Sequence, residues 1–242
     1  MRTILLTNDD GIAAPGLAAL FRTCGELGRC IVVAPAAASS GSSHTCTTHD
    51  PIRVTRETDD WYAVAGTPVD CARVGLTHVA PNADILISGI NNGGNLGADL
   101  YISGTAAAAR EAALLGYRGI ALSQYVRPDL NVDWEATSRR AQTVLQQLLD
   151  MQESAVEHFW NVNFPHISPT DPEPATRFCG LDPGPLRVEF TVERQQSDRS
   201  LIATFSGDYH SRERQPGRDV DVCFGGEIAV TKVPLDFAKR DE

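Results

Sequence analysis

Residues 3–11 read TILLTNDDG, a short apolar run that ends in two adjacent carboxylates and a glycine. The run from Thr3 to Thr7 is continuous and rich in branched residues, which predicts a buried strand of a parallel sheet. In open α/β sheets, ligands bind beyond the carboxyl ends of the strands, where Asp9 and Asp10 fall. Neighbouring carboxylates repel each other, and a hard divalent cation such as Mg²⁺ or Mn²⁺ relieves that repulsion. The pair therefore favours a metal site; acidic residues in the first turn of a helix, which need no metal, are the alternative.

Strand and helix signals alternate through about the first 150 residues. Apolar residues at helical spacing run from Leu17 to Leu27, Thr67 and Pro68 open a second helix, and Ser103 opens a third, Ala-rich one. A longer amphipathic helix is expected over residues 134–151. Further strands are predicted at residues 30–34, 52–55, 61–65, 85–87, 119–123 and 159–164, the last closing the sheet. This alternation predicts an α/β fold with a Rossmann-like, three-layer parallel-sheet core over residues 1–165.

Residues 166–242 follow a different pattern. A proline-rich, irregular stretch leads to residues that alternate with period 2, clearest in Leu186 to Glu193, Ile202 to Phe205 and Ile228 to Val233. These runs predict antiparallel ribbons, which are too few to form an independent core. We expect a smaller C-terminal β-rich oligomerisation part that packs on the core and is not an independent domain. Ribbons of this kind often pack on a neighbouring subunit, so we expect an oligomer.

Composition excludes several classes of protein. The chain has 242 residues, of which 42% are hydrophobic and 21% charged, as in ordinary globular proteins. No segment approaches the roughly 18 consecutive apolar residues of a membrane span, and the first strand leaves no room for a signal peptide. The formal net charge of −10 argues against binding of DNA or RNA duplexes. The six cysteines show no metal-like spacing, so we expect buried structural thiols and a cytoplasmic location.

Lysine is nearly absent, with Lys232 and Lys239 as the only two. Phosphate chemistry in the first half of the chain would therefore depend on a metal, on arginine or on backbone N–H groups.

Three further polar clusters follow predicted strands or open a helix, and all are expected at the edge that holds the acidic pair. They are Ser40-Gly41, the loop that begins at Asn91, and Ser103-Gly104-Thr105. Carboxylate, hydroxyl and amide oxygens together suit a hard cation, and a helix start offers free N–H groups to an anion. Each cluster also has a structural interpretation: a flexible polar loop, a loop with left-handed backbone, and a helix cap, respectively. Their convergence favours a site for a metal and a phosphate group.

Four sequence strings, in this order, closely resemble the SurE (survival protein E) family. They are ILLTNDDGIAAPG, VVAPAAASSGSSH, VAGTPVDC and LISGINNGGNLGADLYISGT, and they span roughly the first 125 residues. The resemblance implies a Rossmann-like, metal-dependent nucleoside 5′-monophosphate phosphatase whose smaller C-terminal part forms dimers or tetramers. It implies one Mg²⁺ or Mn²⁺ per subunit, and a catalytic role for the acidic pair. The implied metal ligands are Asp9, Asp10, Ser40 and Asn91, and the implied phosphate-binding residues are Asn95, Ser103, Gly104 and Thr105.

The chain departs from the family pattern just before Gly41. The family usually carries charged or amide residues there, whereas this chain has Ala36-Ala37-Ala38-Ser39, and the motif selects Ser40 rather than the adjacent Ser39 as the ligand. This change leaves open a catalytically weak nucleotide-binding protein of the same fold. A phosphoacceptor receiver domain is a second rival, but it would need a lysine that the first half of the chain lacks. Attack by water and direct attack by Asp9 are both compatible with the sequence.

Overall fold

The computed structural model describes residues 1–151, 157–168, 170–185, 188–195 and 200–235. Five α-helices lie in the described part: α1 (Pro15–Gly25), α2 (Pro68–Val74), α3 (Gly104–Leu114), α4 (Trp134–Asp150) and α5 (Asp219–Phe224). The strands of the described part are β1 (Thr3–Thr7), β2 (Arg29–Pro35), β3 (Val54–Arg56), β4 (Trp61–Val64), β5 (Ile85–Asn92), β6 (Arg118–Gln124), β7 (His158–Phe164), β8 (Thr176–Phe178), β9 (Phe190–Arg194), β10 (Leu201–Phe205) and β11 (Ile228–Pro234).

One large sheet forms the centre of the molecule, with the strand order β3-β4-β2-β1-β5-β6-β7-β11-β8 among the described residues. The strands from β4 to β7 in this order pair in parallel, whereas β3 and β11 are antiparallel to β4 and β7. The chain moves outward from β1 through β2 to β4, and then returns to the other side of β1 with β5. The direction of winding therefore reverses between β1 and β5, which is where ligands bind in open α/β sheets.

Helices cover both faces of this sheet. Ile4 and Leu6 of β1 pack with α1 and α4 on one face, whereas Leu5 packs with α2 and α3 on the other. The alternation of β1 between two apolar layers explains why residues 3–7 form a continuous apolar run. The predicted α/β fold, with a mostly parallel sheet between two layers of helices, is confirmed.

Local signals set the helix starts. Thr67 accepts a hydrogen bond from the backbone N–H of Asp70, Pro68 takes the first helical position, and Asp70 accepts one from the N–H of Thr67. This reciprocal capping arrangement satisfies donors that a helix start otherwise leaves free. α1 likewise begins with a proline, and α4 is capped by Asp133.

The prediction that residues 159–164 close the sheet is wrong. β11 pairs antiparallel with β7, and β8 pairs in parallel with β11, so the sheet extends beyond residue 165. The run from Ile228 to Val233 was predicted to join a ribbon, but a short connection from α5 returns it to the sheet, where its first four residues are buried. Period-2 alternation does not distinguish these two environments. The division into a core of residues 1–165 and a non-independent extension stays a prediction.

A separate antiparallel ribbon is present, as predicted. β9 pairs with β10 from Phe190 opposite Phe205 to Arg194 opposite Leu201. Residues 186 and 187 of the predicted run, and Lys239, lie outside the described residues.

Two further findings concern the helices and the cysteines. No helix in the described ranges is long and apolar enough to cross a membrane. All six cysteines are free thiols, and four of them are buried, as the sequence predicts: Cys24, Cys30, Cys71 and Cys223.

Candidate active site

A cleft of about 1030 Å³ opens at the carboxyl ends of β1 and β5. Six of the eight residues implied as site residues line it, and the other two, Gly104 and Thr105, are buried directly behind its wall. The lining residues are Asp9, Asp10, Ser40, Asn91, Asn95 and Ser103. The structure therefore brings together residues that are up to 94 positions apart along the chain.

Asp9 is the more buried carboxylate of the acidic pair, with 4% of its surface exposed. The hydroxyl of Thr105 donates to its Oδ1 at 2.5 Å. Burial raises the pKa of Asp9 above its usual value of 3.8; the hydrogen bond from Thr105 opposes this, and the charge of Asp10 adds to it. An ionised Asp9 in this position is therefore costly unless positive charge compensates it.

Asp10 and Asn91 face the same cleft from neighbouring strands. The backbone N–H of Asn92 donates to Oδ2 of Asp10 at 3.0 Å. The side-chain amide of Asn91 donates to the carbonyl of Gly93 at 2.8 Å, which orients its Oδ1 as an acceptor. The pairing of β5 with β6 shifts register between Ser88 and Asn91, and irregularities of this kind redirect side chains near sites.

The loop with Ser40 is held against the acidic pair. The backbone N–H of Ser39 donates to the carbonyl of Asp9 at 2.7 Å, and it is Ser40, not Ser39, that lines the cleft. Gly11 has a φ of +97°, and a Cβ there would lie 3.2 Å from the backbone of Ala37 and Ala38, so only glycine allows this approach.

Asn95 is fixed by neighbouring strands. Its side-chain amide donates to the hydroxyl of Ser123 at 2.8 Å, and its backbone N–H donates to Oδ1 of Asn163 at 2.8 Å. The side-chain amides of Asn161 and Asn163 donate to its carbonyl. One amide proton of Asn95 is left for another acceptor.

The start of α3 meets the acidic pair at very short range. Ser103 accepts a hydrogen bond from the N–H of Ala106 at 3.0 Å. It therefore caps α3, which is the structural role that the sequence also allowed. A Cβ on Gly104 would lie 2.9 Å from Cβ of Asp9 and 2.9 Å from Oγ of Ser42. The hydroxyl of Ser42 is buried and has no hydrogen-bond partner among the described residues. The absence of a side chain at Gly104 is what lets the helix start approach Asp9.

These side chains fit a hard divalent cation. Two carboxylates, one hydroxyl and one amide oxygen line the same wall, and such oxygen sets suit Mg²⁺ or Mn²⁺. Within the described ranges, no group of three or more His, Cys, Asp and Glu residues is arranged to hold a metal. His44, the histidine nearest to the site in sequence, instead contacts Glu111.

Sequence reasoning missed the outer wall of the cleft. Residues 208–215 form part of it, and Arg212 pairs with the largely buried Asp99 at 3.0 Å and lies 4.5 Å from the ring centre of Tyr209. The hydroxyl of Tyr209 also donates to Asp99 at 2.9 Å. The only signal was the run YHSRER, which mixes aromatic and basic residues without any periodicity.

Asp219 connects the C-terminal part of the chain to the loop that follows Asn95. Its buried carboxylate accepts hydrogen bonds from the backbone N–H groups of Gly97, Asp182 and Val220 at 2.7–2.9 Å. Burial raises its pKa, although these hydrogen bonds act in the opposite direction. The loop that follows Asn95 is thereby tied to the C-terminal part of the chain.

Comparison with known proteins identifies this arrangement. The sequence model of the family described as Survival protein SurE matches residues 4–181. The chain belongs to the SurE family. A protein of Synechocystis sp. is 45% identical over 229 residues, which cover 95% of this chain and 98% of that protein. A relative of Paramagnetospirillum magneticum, named 5′-nucleotidase SurE, is 35% identical, with 99% of this chain and 92% of the relative covered.

The fold of the SurE family agrees with the one described above. The crystal structure of the SurE protein from Aquifex aeolicus matches with a TM-score of 0.88 and 28% sequence identity, and covers 98% of this chain and 95% of that one. The likeness therefore includes β11 and the ribbon of β9 and β10 as well as the parallel sheet.

Proposed function

We propose that this SurE-family chain is a 5′-nucleotidase that hydrolyses nucleoside 5′-monophosphates to nucleoside and phosphate, with one Mg²⁺ or Mn²⁺ per subunit. The observation that carries the proposal is the contact between the acidic pair and the start of α3, made by Thr105 and Asp9. It joins Asp9, a cation-binding group that lines the cleft, to the helix start, an anion-binding group at the wall of the same cleft. Relatives named 5′-nucleotidase over nearly the full chain support the same activity.

The proposed cation ligands are Asp9, Asp10, Ser40 and Asn91. When bound, the cation would supply positive charge that attracts phosphate oxygens and makes water more acidic. The cation would also compensate the repulsion between the two carboxylates, which contributes to the raised pKa of the buried Asp9.

The proposed phosphate contacts are Asn95 and the start of α3. The first N–H groups of a helix lack intrahelical acceptors, and the helix dipole adds partial positive charge there. Ser103, Gly104 and Thr105 supply this helix start, while Asn95 lines the cleft and has one side-chain amide proton beyond the one donated to Ser123. These donors would hold the charge that develops on the phosphoryl oxygens. A carboxylate of the acidic pair would position the attacking water or accept its proton.

A release assay for inorganic phosphate tests this function. AMP, GMP and CMP should each release phosphate in the presence of Mn²⁺, EDTA should abolish the release, and Mn²⁺ or Mg²⁺ should restore it. Binding of AMP in calorimetry without phosphate release would instead support the weak nucleotide-binding alternative. A strict requirement for zinc would contradict the oxygen-ligand site.

We also propose that the chain is a homodimer or homotetramer formed through the ribbon. Cross-strand pairs place Phe190, Val192, Leu201 and Phe205 on one face of β9 and β10, and each has 51–60% of its surface exposed. The opposite face carries Thr191, Glu193, Ile202 and Thr204, so it is the more polar of the two although Ile202 is also exposed. A cluster of large exposed apolar side chains on one face of a two-stranded ribbon is the pattern of a surface that another protein chain covers. The free thiols support a cytoplasmic location.

A further inference from the structure

A cluster of charged side chains lies behind the Ser40 loop and has no part in the proposed reaction. Glu111 of α3 is buried, and its two oxygens accept hydrogen bonds from different elements. Oε1 accepts from Nε of Arg73 on α2 at 2.6 Å, and Oε2 contacts Nε2 of His44 at 2.7 Å. Nε of Arg110 donates to the other ring nitrogen of His44 at 3.0 Å.

These contacts determine the form of the His44 ring. A guanidinium group has donors only, so Nδ1 of His44 must be the acceptor of the hydrogen bond from Arg110. Nε2 then carries the proton and donates it to Glu111. In these contacts the His44 ring has one donor and one acceptor, each of which has a specific partner.

The Ser40 loop needs such an anchor because it packs poorly by itself. Ala36, Ala37, Ala38 and Ser40 are all exposed, so no buried side chain fixes this part of the loop. The loop is tied to Asp9 on one side, through the N–H of Ser39. On the other side, its first side-chain contacts are those of Ser43 with the carbonyl of Tyr101 and of His44 with α3.

One helix thus controls two parts of the proposed cation site. Thr105, near the start of α3, holds the carboxylate of Asp9. Glu111 lies six residues further, about 9 Å along the helix axis, and holds His44 four residues beyond Ser40. Ser43, which lies between them, is also hydrogen-bonded to the carbonyls of Tyr101 and Ile102, so we expect a displacement of His44 to shift Ser40 relative to Asp9 only in part.

We propose that Glu111 and His44 are positioning residues that set the distance between Ser40 and the acidic pair for cation binding. Arg73 and Arg110 complete the network by holding Glu111 and His44, respectively. The inference rests on the proposed assignment of Ser40 as a cation ligand. Outer partners of metal ligands typically change metal affinity by about 10–100-fold, and we expect the lower end here because Ser40 is a neutral ligand.

The experiment is a titration of the full-length protein with Mn²⁺ by calorimetry, with no substrate present. Wild type is compared with Ser40→Ala, His44→Ala and the double variant. His44→Gln is included because its amide retains a donor for Glu111, and His49→Ala is the matched control on the exposed part of the same loop. Thermal unfolding of every variant is measured in parallel.

We expect His44→Ala to weaken Mn²⁺ binding about 10-fold and His44→Gln to restore most of it. The double variant should bind Mn²⁺ no more weakly than Ser40→Ala, because His44 acts through Ser40. In kinetics, His44→Ala should raise the Mn²⁺ concentration needed for half-maximal activity while leaving kcat at saturating Mn²⁺ nearly unchanged. Glu111→Gln should resemble His44→Ala, since its amide cannot accept the proton of Nε2 while still accepting from Arg73 in the same orientation.

The outcomes separate this inference from the proposed function. If Ser40→Ala binds Mn²⁺ like wild type, the ligand assignment is wrong, whatever His44 does. If Ser40→Ala binds weakly but His44→Ala binds like wild type, only the positioning role is overturned. An equal loss from His44→Ala in the presence and absence of Ser40 would also overturn it, because a general loss of stability acts in both backgrounds.

Discussion

At the scale of single residues, Asp9 is the group on which the site depends most. Its folded-state pKa is raised above 3.8, so the folded protein binds a proton there more readily than the unfolded chain does. The free energy of unfolding therefore falls as the pH rises from 3.8 through the raised pKa of Asp9. At neutral pH and without a cation, the ionised carboxylate makes the folded state less stable.

The first prediction concerns the acidic pair itself. Asp9→Asn and Asp10→Asn should each reduce phosphate release by more than about 100-fold, because even outer partners of metal ligands change metal affinity by 10–100-fold. In EDTA at pH 7, each variant should unfold at the same temperature as wild type or slightly higher, since carboxylate repulsion is removed. Asp59→Asn, which alters an exposed carboxylate away from the cleft, is the control. Near wild-type turnover of either variant at saturating Mn²⁺ would rule out this assignment.

The second prediction concerns Thr105, whose hydroxyl contacts Asp9. Thr105→Val keeps the shape of the side chain but removes the hydrogen bond that lowers the pKa of Asp9. Mn²⁺ affinity at pH 6–7 should fall by about 10-fold, and Thr105→Ser should restore it. Calorimetry measures both affinities. If Thr105→Val binds Mn²⁺ like wild type but turns over more slowly, Thr105 contributes to phosphate binding and not to cation binding.

At this scale, the sequence predicts which residues are near the cleft but not what they contact. Six of the eight implied residues line it because strand ends and helix starts are set by local signals such as the apolar run before Asp9. The contact between Thr105 and Asp9 joins residues 96 positions apart, and it depends on how closely α3 approaches β1. Arg212 and Tyr209 were missed because irregular segments carry no periodic signal.

At the scale of secondary-structure elements, the junction between α3 and β1 decides the geometry of the site. Gly104 has no space for a side chain, as the 2.9 Å distances to Asp9 and Ser42 show. Gly25, at the end of α1, has no atom within 4 Å of the position of its Cβ. The two glycines therefore provide a matched pair for substitution.

The third prediction is that Gly104→Ala reduces activity strongly although alanine favours helices. The added methyl group should push α3 away from Asp9 and weaken Mn²⁺ binding by at least about 10-fold, as expected for a change next to a metal ligand. Gly25→Ala should keep wild-type activity, and its free energy of unfolding should equal that of wild type or exceed it by up to about 1 kcal/mol. Steady-state kinetics and denaturant unfolding of both variants check this. Full activity of Gly104→Ala would mean that the close approach is not required.

The position of β11 shows the limit of prediction at this scale. Its alternating residues predicted a strand correctly, but not its neighbours, because the antiparallel return beside β7 depends on α5 and on the open edge of the parallel sheet. β8, with three residues in a proline-rich stretch, gave no strand signal at all. Element type is a local property, whereas strand order is set by packing across the whole chain.

At the scale of the whole molecule, the ribbon of β9 and β10 is the feature that the isolated chain does not explain. Phe205 belongs to its apolar face and also lines the cleft. An assembly formed through this face would therefore lie next to the substrate. Sequence alternation predicts an amphipathic ribbon, but only the strand pairing shows which residues share a face.

The last prediction tests the assembly and its link to the cleft. In light scattering at micromolar concentration, the wild-type protein should have a mass of at least twice 26.1 kDa. Val192→Glu places a charge on the apolar face and should raise the dissociation constant by about 100-fold, since burial of an unpaired charge costs several kcal/mol. Thr191→Glu makes the same change on the opposite face, so it should leave the mass unchanged. Because Phe205 is shared between this face and the cleft, Val192→Glu should also raise KM for AMP more than it lowers kcat. A monomeric wild-type protein, or equal effects of the two variants, would show that the ribbon face is not the contact.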